Sequence, residues 1–163
     1  MHNGWVQGPS LRVSVVLPTS PERLYRAFLD AKEHAAFTGA PASITARVGG
    51  KLSAFEGHVT AKLLELEPHE RIAMAWRTRD FPEDAPDSIV EVLFHPATGG
   101  TRVTFAQEGL PAGTEERFKK GWRRFYLEPM RSYFQVPEHE VEPATPPKQA
   151  SKPKQAAAKA RRG

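Results

Sequence analysis

A few side chains in this sequence could perform acid–base chemistry, and they lie on segments whose alternating pattern predicts β-strands. Glu65 and Glu67 share one face of such a segment, Glu91 stands between two valines, Glu108 ends a strand, and His58 follows a turn. A buried carboxylate with a raised pKa would be a suitable general base for a cyclisation or a dehydration. Alternating strands more often present charged residues to solvent, however. The sequence therefore assigns no catalytic residue.

Several other kinds of site are excluded by what the chain lacks. Its 163 residues include no cysteine, which rules out disulfides, thiolate catalysis and thiolate metal ligands. None of the six histidines forms an HExxH motif or an i, i+4 pair on a predicted helix, so no metal site is predicted. The sequence contains no GxSxG motif, phosphate-binding loop or dinucleotide fingerprint. We therefore expect neither a metal nor a cofactor.

Aromatic residues on the predicted strands and on the last predicted helix favour a different function, the binding of an apolar ligand. In a pocket their ring faces would form the walls, while indole N–H groups and tyrosine hydroxyls would orient the ligand. The same residues could instead fill a closed core. The candidates for lining a cavity are Phe37, Phe55, Met74, Trp76, Phe105, Phe118, Trp122 and Tyr126. Either Arg77 or Arg79 could hold an anionic group of the ligand.

The longest element that could position these residues is a predicted amphipathic helix at residues 114–135. On a helical wheel its aromatic residues form one broad stripe, with Trp122 near the centre. Thr114 is a suitable N-cap, and Pro137 prevents the helix from continuing. Pro129 predicts a kink inside the helix, because proline donates no backbone N–H. So broad a stripe needs a large apolar surface to pack on.

The segments before this helix predict the sheet that accepts it. Residues 11–17 alternate as a first strand, a helix then begins with Ser20 as its cap and Pro21 at its first position, and a second short helix covers residues 31–37. Further strands are predicted at 43–48, 51–55, 58–67, 71–78, 88–95 and 101–108. Because short connections allow only antiparallel neighbours, the fold class is α+β, with a curved antiparallel sheet wrapped on a long C-terminal helix.

The two ends of the chain differ in composition from its body. Residues 143–163 carry six basic residues and no acidic one, which leaves 17 basic and 19 acidic residues in 1–142. A body so nearly neutral disfavours a nucleic-acid-binding domain. We predict a flexible lead-in at residues 1–10, one domain at 11–136 and a disordered Pro/Ala/Lys-rich basic tail at 137–163. The tail could bind a polyanion, although a solvated tail without a partner is more common.

The sequence also predicts where the protein resides. No window approaches the length of a membrane-spanning helix, and the N-terminus lacks the basic and apolar regions of a signal peptide. The lack of cysteine suits a reducing compartment. We therefore expect a cytoplasmic protein that does not insert into a membrane.

Several short motifs occur in an order that resembles one known family. They are Phe55-Glu56-Gly57, Glu67-Pro68, Trp76-Arg77, Phe81-Pro82, Gly100-Thr101, Gly109-Leu110-Pro111 and Gly121-Trp122, followed by Tyr126, Pro129 and Tyr133-Phe134. Over about residues 11–135 the chain resembles the activator of 90-kDa heat-shock protein ATPase homologue family, within the START-like, SRPBCC (Bet v 1-like) superfamily. This resemblance implies a helix-grip fold with an internal cavity.

The resemblance implies three kinds of function. The first, which we predict, is non-catalytic binding of a small hydrophobic molecule, such as a lipid or a polyketide-like compound, in a cavity gated by the loops at 37–41 and 81–86. The second is a chaperone-accessory role, in which an outer surface contacts a chaperone. The third is an enzyme similar to the polyketide cyclases of the wider superfamily. It requires a carboxylate or a histidine that faces the cavity.

Overall fold

The computed structural model describes residues 10–135. The predicted basic tail, and all but the last residue of the predicted lead-in, lie outside the described residues. By its internal contacts the chain divides into two units, residues 1–131 and 132–163. The fold and the site presented below belong to the first unit. The described part of the second unit includes Tyr133 and Phe134, whose rings meet edge to face at 4.9 Å between centroids.

Seven antiparallel strands form one curved sheet, which confirms the predicted α+β helix-grip class. The strands are β1 (Ser10–Leu17), β2 (Ala42–Ile44), β3 (Lys51–Ala54), β4 (Val59–Glu67), β5 (Arg71–Thr78), β6 (Ser88–Ala97) and β7 (Gly100–Glu108). Their order across the sheet is β1-β7-β6-β5-β4-β3-β2. Strands β2 to β7 are thus neighbours in sequence order, whereas β1 crosses over to pair with β7 along its whole length.

Two short helices form the crossover from β1 to β2, as the sequence predicts. Helix α1 (Pro21–Leu29) begins where the hydroxyl of Ser20 accepts the backbone N–H of Arg23 over 3.1 Å. Helix α2 (Ala31–Thr38) ends at Gly39, whose φ of +81° is left-handed and stops the helix. The predicted cap at Ser20 is confirmed.

Three of the predicted strands are shorter in the structure. The strand predicted at 58–67 begins at Val59, because His58 lies in the turn before it. The segment at 43–48 pairs only within Ala42–Ile44, because the backbone beyond it forms local turns, with Arg47 donating to the carbonyl of Thr45. The strand predicted at 51–55 ends at Ala54, because Phe55 has a φ of +54° and cannot continue a pleated strand. The placement of Phe55 on a strand is therefore wrong. The other strands agree with the predicted bounds to within two residues.

The long C-terminal helix is present but consists of three segments. They are α3 (Glu115–Trp122), a π-helical segment (Arg123–Leu127) and α4 (Glu128–Tyr133). In the π segment the backbone N–H of Glu128 donates to the carbonyl of Arg123, five residues back. The ring of Pro129 would crowd the carbonyl of Phe125 in a regular α-helix, and the wider π turn accommodates it. The structural response to Pro129 is therefore a π segment placed just before it.

The start of this helix differs in one detail from the prediction. Thr114 occupies the N-cap position, but its side chain accepts no hydrogen bond from the first turn. Its hydroxyl donates instead to the carbonyl of Pro111 over 2.7 Å. The backbone conformation explains the difference, because Thr114 has helical torsion angles, whereas a capping side chain usually requires an extended residue.

The core of the first unit lies between the sheet and these helices. Along β6, the side chains of Val90, Val92 and Phe94 are buried, while those of the residues between them are only half-buried. From the other side, the indole of Trp122 stacks on the ring of Phe105 in β7, with centroids 4.5 Å apart and planes 18° apart. This stacked pair fixes α3 on the sheet and forms the base of the site described next.

Candidate functional site

A cavity of about 240 Å³ lies between the C-terminal helix and strands β4 and β5, and it opens to solvent on one side. Its walls consist mainly of aromatic rings, with a few polar groups. The lining residues are Phe55, His58, Val59, Trp76, Thr78, Asp80, Arg117, Phe118, Gly121, Trp122, Phe125 and Tyr126. All of them belong to the first unit. A concave, largely apolar surface with a few polar groups is typical of a small-molecule site.

The aromatic walls are locked together by ring contacts. Trp76 lies 5.1 Å from Trp122 between centroids, and Phe118 meets Trp76 edge to face at 6.0 Å. Tyr126 continues the wall 5.2 Å beyond Trp122. Such pairs contribute about 0.5–1.5 kcal/mol each beyond the area that they bury. The rings therefore form rigid walls that a ligand would not have to reorganise.

The helix contributes two adjacent rows of residues to the cavity, and one row has a gap. Phe118, Trp122 and Tyr126 follow one another at intervals of four and are buried. The neighbouring row passes through Arg117 and Phe125 with Gly121 between them. A Cβ added at Gly121 would meet no atom within 4 Å. The missing side chain of Gly121 therefore leaves part of the cavity open.

The wall opposite the helix includes a strained hairpin turn. Phe55 and Glu56 both have left-handed φ values, of 54° and 57°, in the turn between β3 and β4. A left-handed conformation costs roughly 1–2 kcal/mol for a residue with a side chain. The ring of Phe55 packs at 5.8 Å from both Phe125 and Tyr126. These two ring contacts offset the strain and hold Phe55 against the helix at the edge of the cavity.

The polar atom of the Trp122 indole is turned away from any ligand. Its N–H donates to Oε1 of Gln107 over 2.8 Å, and Nε2 of Gln107 donates to the hydroxyl of Ser88 over 2.9 Å. The hydroxyl of Ser88 in turn donates to the carbonyl of Trp76. Gln107 and Ser88 are fully buried. This chain joins the helix to three strands, and it removes Trp122 as the polar handle that the sequence predicts.

The hydroxyl of Tyr126 is also used inside the protein. It lies 2.8 Å from Nε2 of His34, and Nδ1 of His34 lies 2.8 Å from the carbonyl of Phe28. Since that carbonyl can only accept, Nδ1 carries the proton and Nε2 accepts from Tyr126. Burial lowers the pKa of His34 and raises the pKa of Tyr126 above its ordinary value. Both groups are therefore neutral, and neither polar atom is available to a ligand.

Three polar residues of the cavity, His58, Asp80 and Arg117, are partly or fully exposed and lie at its mouth, whereas Thr78 is buried. Nε2 of His58 is 3.5 Å from a carboxylate oxygen of Asp80, and both side chains are partly exposed. The hydroxyl of Thr78 accepts the backbone N–H of Asp80 over 3.1 Å. The guanidinium of Arg117 lies over the ring of Phe118, 5.1 Å from its centroid. The mouth thus combines one arginine with a histidine–aspartate pair.

The eight cavity candidates from the sequence separate into two groups. Phe55, Trp76, Phe118, Trp122 and Tyr126 line the cavity. Phe37, Met74 and Phe105 are buried in the core and do not belong to the lining. Phe105 still contributes indirectly, because it stacks under Trp122. Sequence reasoning could not separate the groups, because cavity walls and core demand the same residue types.

The arginines proposed as ligand clamps have other partners. Arg77 holds the loop after β5, because its guanidinium donates to Asp87 and to the carbonyls of Ala85 and Pro82 at 2.9 to 3.0 Å. Arg79 donates to the carbonyl of Glu56 over 3.3 Å and so supports the strained turn. Neither residue lines the cavity. The structure therefore assigns both to loop support and not to a ligand.

The carboxylate candidates lie away from the cavity, whereas His58 lies at its mouth. Glu91 accepts from Nε of Arg71 over 2.8 Å, and the guanidinium of Arg71 also binds Glu65 and Glu67. These ion pairs raise the pKa of Arg71 against the effect of its burial. Glu108 does not line the cavity. An enzyme with a cavity carboxylate would have to use Asp80, which the sequence analysis did not single out.

Six lining residues were missed from the sequence, namely Val59, Thr78, Asp80, Arg117, Gly121 and Phe125. Arg117, Gly121 and Phe125 are spaced by four residues along the helix, beside the aromatic row, and that spacing was a usable signal. Asp80 follows β5 and had no comparable signal.

Within residues 10–135 no group of three metal-ligating side chains occurs, and no helix there is long and apolar enough to cross a membrane.

The chain is similar to known proteins over nearly all of its described residues. The sequence profile of the family described as Activator of Hsp90 ATPase homolog 1-like protein matches residues 18–135. The Mus musculus protein named activator of 90 kDa heat shock protein ATPase homolog 1 is 39% identical over 116 residues, which are 71% of this chain and 34% of that protein. The chain thus spans about a third of the length of the curated relatives it matches.

Two solved structures have the same fold. An HSP90 activator from Plasmodium falciparum superposes with a TM-score of 0.71 and is 27% identical, over 80% of this chain and 99% of that chain. A protein from Chromobacterium violaceum superposes with a TM-score of 0.62 and is 30% identical, over 78% of this chain and 97% of that chain.

Proposed function

The chain belongs to the family of Activator of Hsp90 ATPase homolog 1-like proteins, and we propose that within this family it binds a small apolar molecule in the cavity between its C-terminal helix and its sheet. The observation that carries the proposal is the continuous aromatic wall from Trp76 through Trp122 to Tyr126, open to solvent at one side. Binding there would bury apolar ligand surface at about 25 cal/mol per Å².

The dimensions of the cavity limit the ligand. An engineered apolar cavity of about 150 Å³ is known to hold benzene. The 240 Å³ found here therefore suits a molecule of about two fused rings. A complete lipid would not fit within that volume. Of the ligand classes predicted from the sequence, a compact polyketide-like ring system is the one that we propose.

Filling the gap in the helix gives a direct test. Gly121→Leu would place a side chain in the cavity, because nothing lies within 4 Å of a Cβ at that position. We expect the unsubstituted protein to bind neutral naphthalene methanol at one site in isothermal titration calorimetry. The leucine should weaken this binding by at least about tenfold, because overpacking costs about 1–3 kcal/mol. Native mass spectrometry of the purified protein would reveal a ligand carried from the cell.

The matched control adds the same side chain to the same helix outside the cavity. Lys120→Leu changes the residue next to Gly121, where the side chain is exposed. This variant should bind naphthalene methanol as the unsubstituted protein does. The proposal is wrong if the unsubstituted protein binds no apolar probe, or if Gly121→Leu binds as tightly as Lys120→Leu.

A second candidate function is a chaperone-accessory role. It is favoured by the 39% identity with part of a protein named as an activator of the 90 kDa heat shock protein ATPase. In this role an outer surface of the domain would contact the chaperone, and the cavity would be incidental. The test is the ATPase rate of a chaperone of that class with and without saturating protein. An unchanged rate would remove this candidate, and equal stimulation by Gly121→Leu would separate it from ligand binding.

A further inference from the structure

We propose that the ligand of this cavity is an anionic aromatic molecule, with a flat body of about two rings inside the cavity and a carboxylate-type group held at the mouth by Arg117. This inference rests on the proposed function, since it assumes that the cavity binds a ligand. It goes further by assigning the charge of the ligand and the residue that recognises it.

The geometry of the walls favours a flat body. Trp76 and Trp122 are in contact at 5.1 Å between centroids, with their planes tilted by 35°, and Phe118 and Trp76 meet edge to face. Aromatic rings bind other rings through such offset and edge-to-face contacts. Gly121 interrupts the helix surface beside them and provides the width that a planar molecule needs.

The interior of the cavity offers few hydrogen-bonding groups. The N–H of Trp122 and the hydroxyl of Tyr126 are both committed to buried protein acceptors, Gln107 and His34. Among residues 10–135, the indole N–H of Trp76 and the buried hydroxyl of Thr78, which accepts from Asp80, donate to no protein acceptor, so the cavity offers a ligand at most two interior donors. A polar group of the ligand that is buried without a partner loses its hydrogen bonds to water and gains none in return. The inner end of the ligand must therefore be almost entirely apolar.

The positive charge that would bind an anionic ligand lies at the mouth of the cavity, on Arg117. Arg117 lines the cavity, and within residues 10–135 no carboxylate forms an ion pair with it. The residue four positions after it on the helix is Gly121, and Gly113 lies before the helix begins at Glu115, so neither position brings an acidic side chain to Arg117. The carboxylate of Asp80 already faces His58. An anionic group is thus the complement that Arg117 lacks.

The contact between Arg117 and Phe118 also prepares this arginine for its role. Its guanidinium lies 5.1 Å from the centroid of the ring, in a cation–π position. This contact places the charge at the edge of the aromatic wall while leaving the planar N–H fork exposed. Such a fork matches the two oxygens of a carboxylate. Arg117 therefore stands where the polar end of a bound aromatic acid would emerge.

Two probes of equal shape and different charge test the inference. We would titrate the protein with naphthoate and with neutral naphthalene methanol in isothermal titration calorimetry at low salt. The unsubstituted protein should bind naphthoate about fivefold more tightly, which is the effect of an exposed ion pair of about 1 kcal/mol. The preference should shrink at high salt, because the guanidinium is exposed to solvent.

Substitution of Arg117 should remove the preference for naphthoate over naphthalene methanol and should not affect binding of the neutral probe. Arg117→Gln is expected to weaken naphthoate about fivefold and to leave naphthalene methanol unchanged. The control is Arg102→Gln, which removes the same charge from a residue that bonds Ser14 and does not line the cavity. This control should bind both probes normally. Circular dichroism of both variants confirms that they are folded.

Each other outcome contradicts a defined part of the argument. If both probes bind the unsubstituted protein equally, or if Arg117→Gln weakens both probes equally, the anionic ligand is wrong while binding in the cavity stands. If neither probe binds the unsubstituted protein, the proposed function and this inference both fail. If Arg102→Gln abolishes the preference as well, the general charge of the protein is responsible and Arg117 is not.

Discussion

The phenolic hydroxyl of Tyr126 donates a 2.8 Å hydrogen bond to Nε2 of His34, a residue 92 positions earlier in the chain. The bond connects α2 to the π segment of the C-terminal helix, and the ring that carries the hydroxyl forms part of the cavity wall. It therefore links the position of that wall to the crossover helices. It also makes the stability of the fold depend on the protonation of one histidine.

The first prediction concerns pH. Burial keeps the pKa of His34 below its ordinary value of 6.5, so near that pH the unfolded chain takes up a proton that the folded chain does not. The free energy of unfolding should therefore fall as the pH drops below about 6.5, by at most about 1.4 kcal/mol per pH unit from this group. His34→Gln should make that dependence shallower in urea titrations at several pH values.

The control for this experiment is His95→Gln, because His95 is exposed on the sheet. It should leave the dependence of stability on pH nearly unchanged. An equal pH dependence in the unsubstituted protein and in His34→Gln would show that His34 is not the group responsible.

The second prediction concerns the buried chain of hydrogen bonds below the cavity. Trp122→Phe removes the N–H that bonds Gln107 and leaves Oε1 of Gln107 buried without that donor. We expect a loss of about 1–3 kcal/mol in the free energy of unfolding beyond the loss of ring contacts. A double-mutant cycle with Gln107→Leu isolates the interaction, because each substitution alone removes one partner. Zero coupling between the two positions would contradict this account.

The third prediction concerns Gly121, which sits in a helix with ordinary torsion angles. Gly121→Ala should stabilise the protein by roughly 0.5–1 kcal/mol, because glycine loses more conformational entropy on folding and the added methyl meets nothing within 4 Å. Gly100→Ala is the opposite case, since its φ is +146° and a Cβ would lie 1.9 Å from the carbonyl oxygen of Leu17. Thermal unfolding should rank Gly121→Ala above the unsubstituted protein and Gly100→Ala well below it.

The fourth prediction concerns the strained turn. Glu56→Gly should stabilise the protein by about 1 kcal/mol, because glycine adopts the left-handed φ of 57° without a steric penalty. Phe55→Gly relieves similar strain but loses the ring contacts with Phe125 and Tyr126, so it should destabilise the protein. Chemical denaturation distinguishes the two substitutions. If both stabilise the protein, the ring of Phe55 does not hold this turn in place.

Much of the fold could be predicted because local chemistry specifies it. The cap at Ser20 and the left-handed stop at Gly39 depend on neighbouring residues alone. The strand at Arg71–Thr78 matches its predicted bounds, because β-branched and aromatic residues, alternation and flanking turns all agree there. The aromatic stripe of the last helix likewise identified three of the cavity-lining residues, Phe118, Trp122 and Tyr126.

Other features depended on contacts that the sequence does not display. The sequence predicts Phe55 at the end of a strand, but in the structure its ring contacts Phe125 and Tyr126 on the helix. These contacts stabilise a left-handed backbone conformation at Phe55, which a residue with a side chain ordinarily disfavours. At Phe55, tertiary packing therefore outweighs a local preference of about 1–2 kcal/mol. Pro129 predicted a kink, but the sequence does not display that the helix widens into a π segment just before it.

The sequence by itself thus determined the elements, their antiparallel order and the apolar character of the helix face. Only the tertiary structure decided which aromatic residues enclose an open cavity and which fill the core, and that the polar atoms of Trp122 and Tyr126 point inward to Gln107 and His34. The physical reason is that the spacing of apolar residues along the sequence indicates only which face of a helix or strand is buried away from water. Hydrogen-bond partners and unfilled volume arise only when distant faces meet.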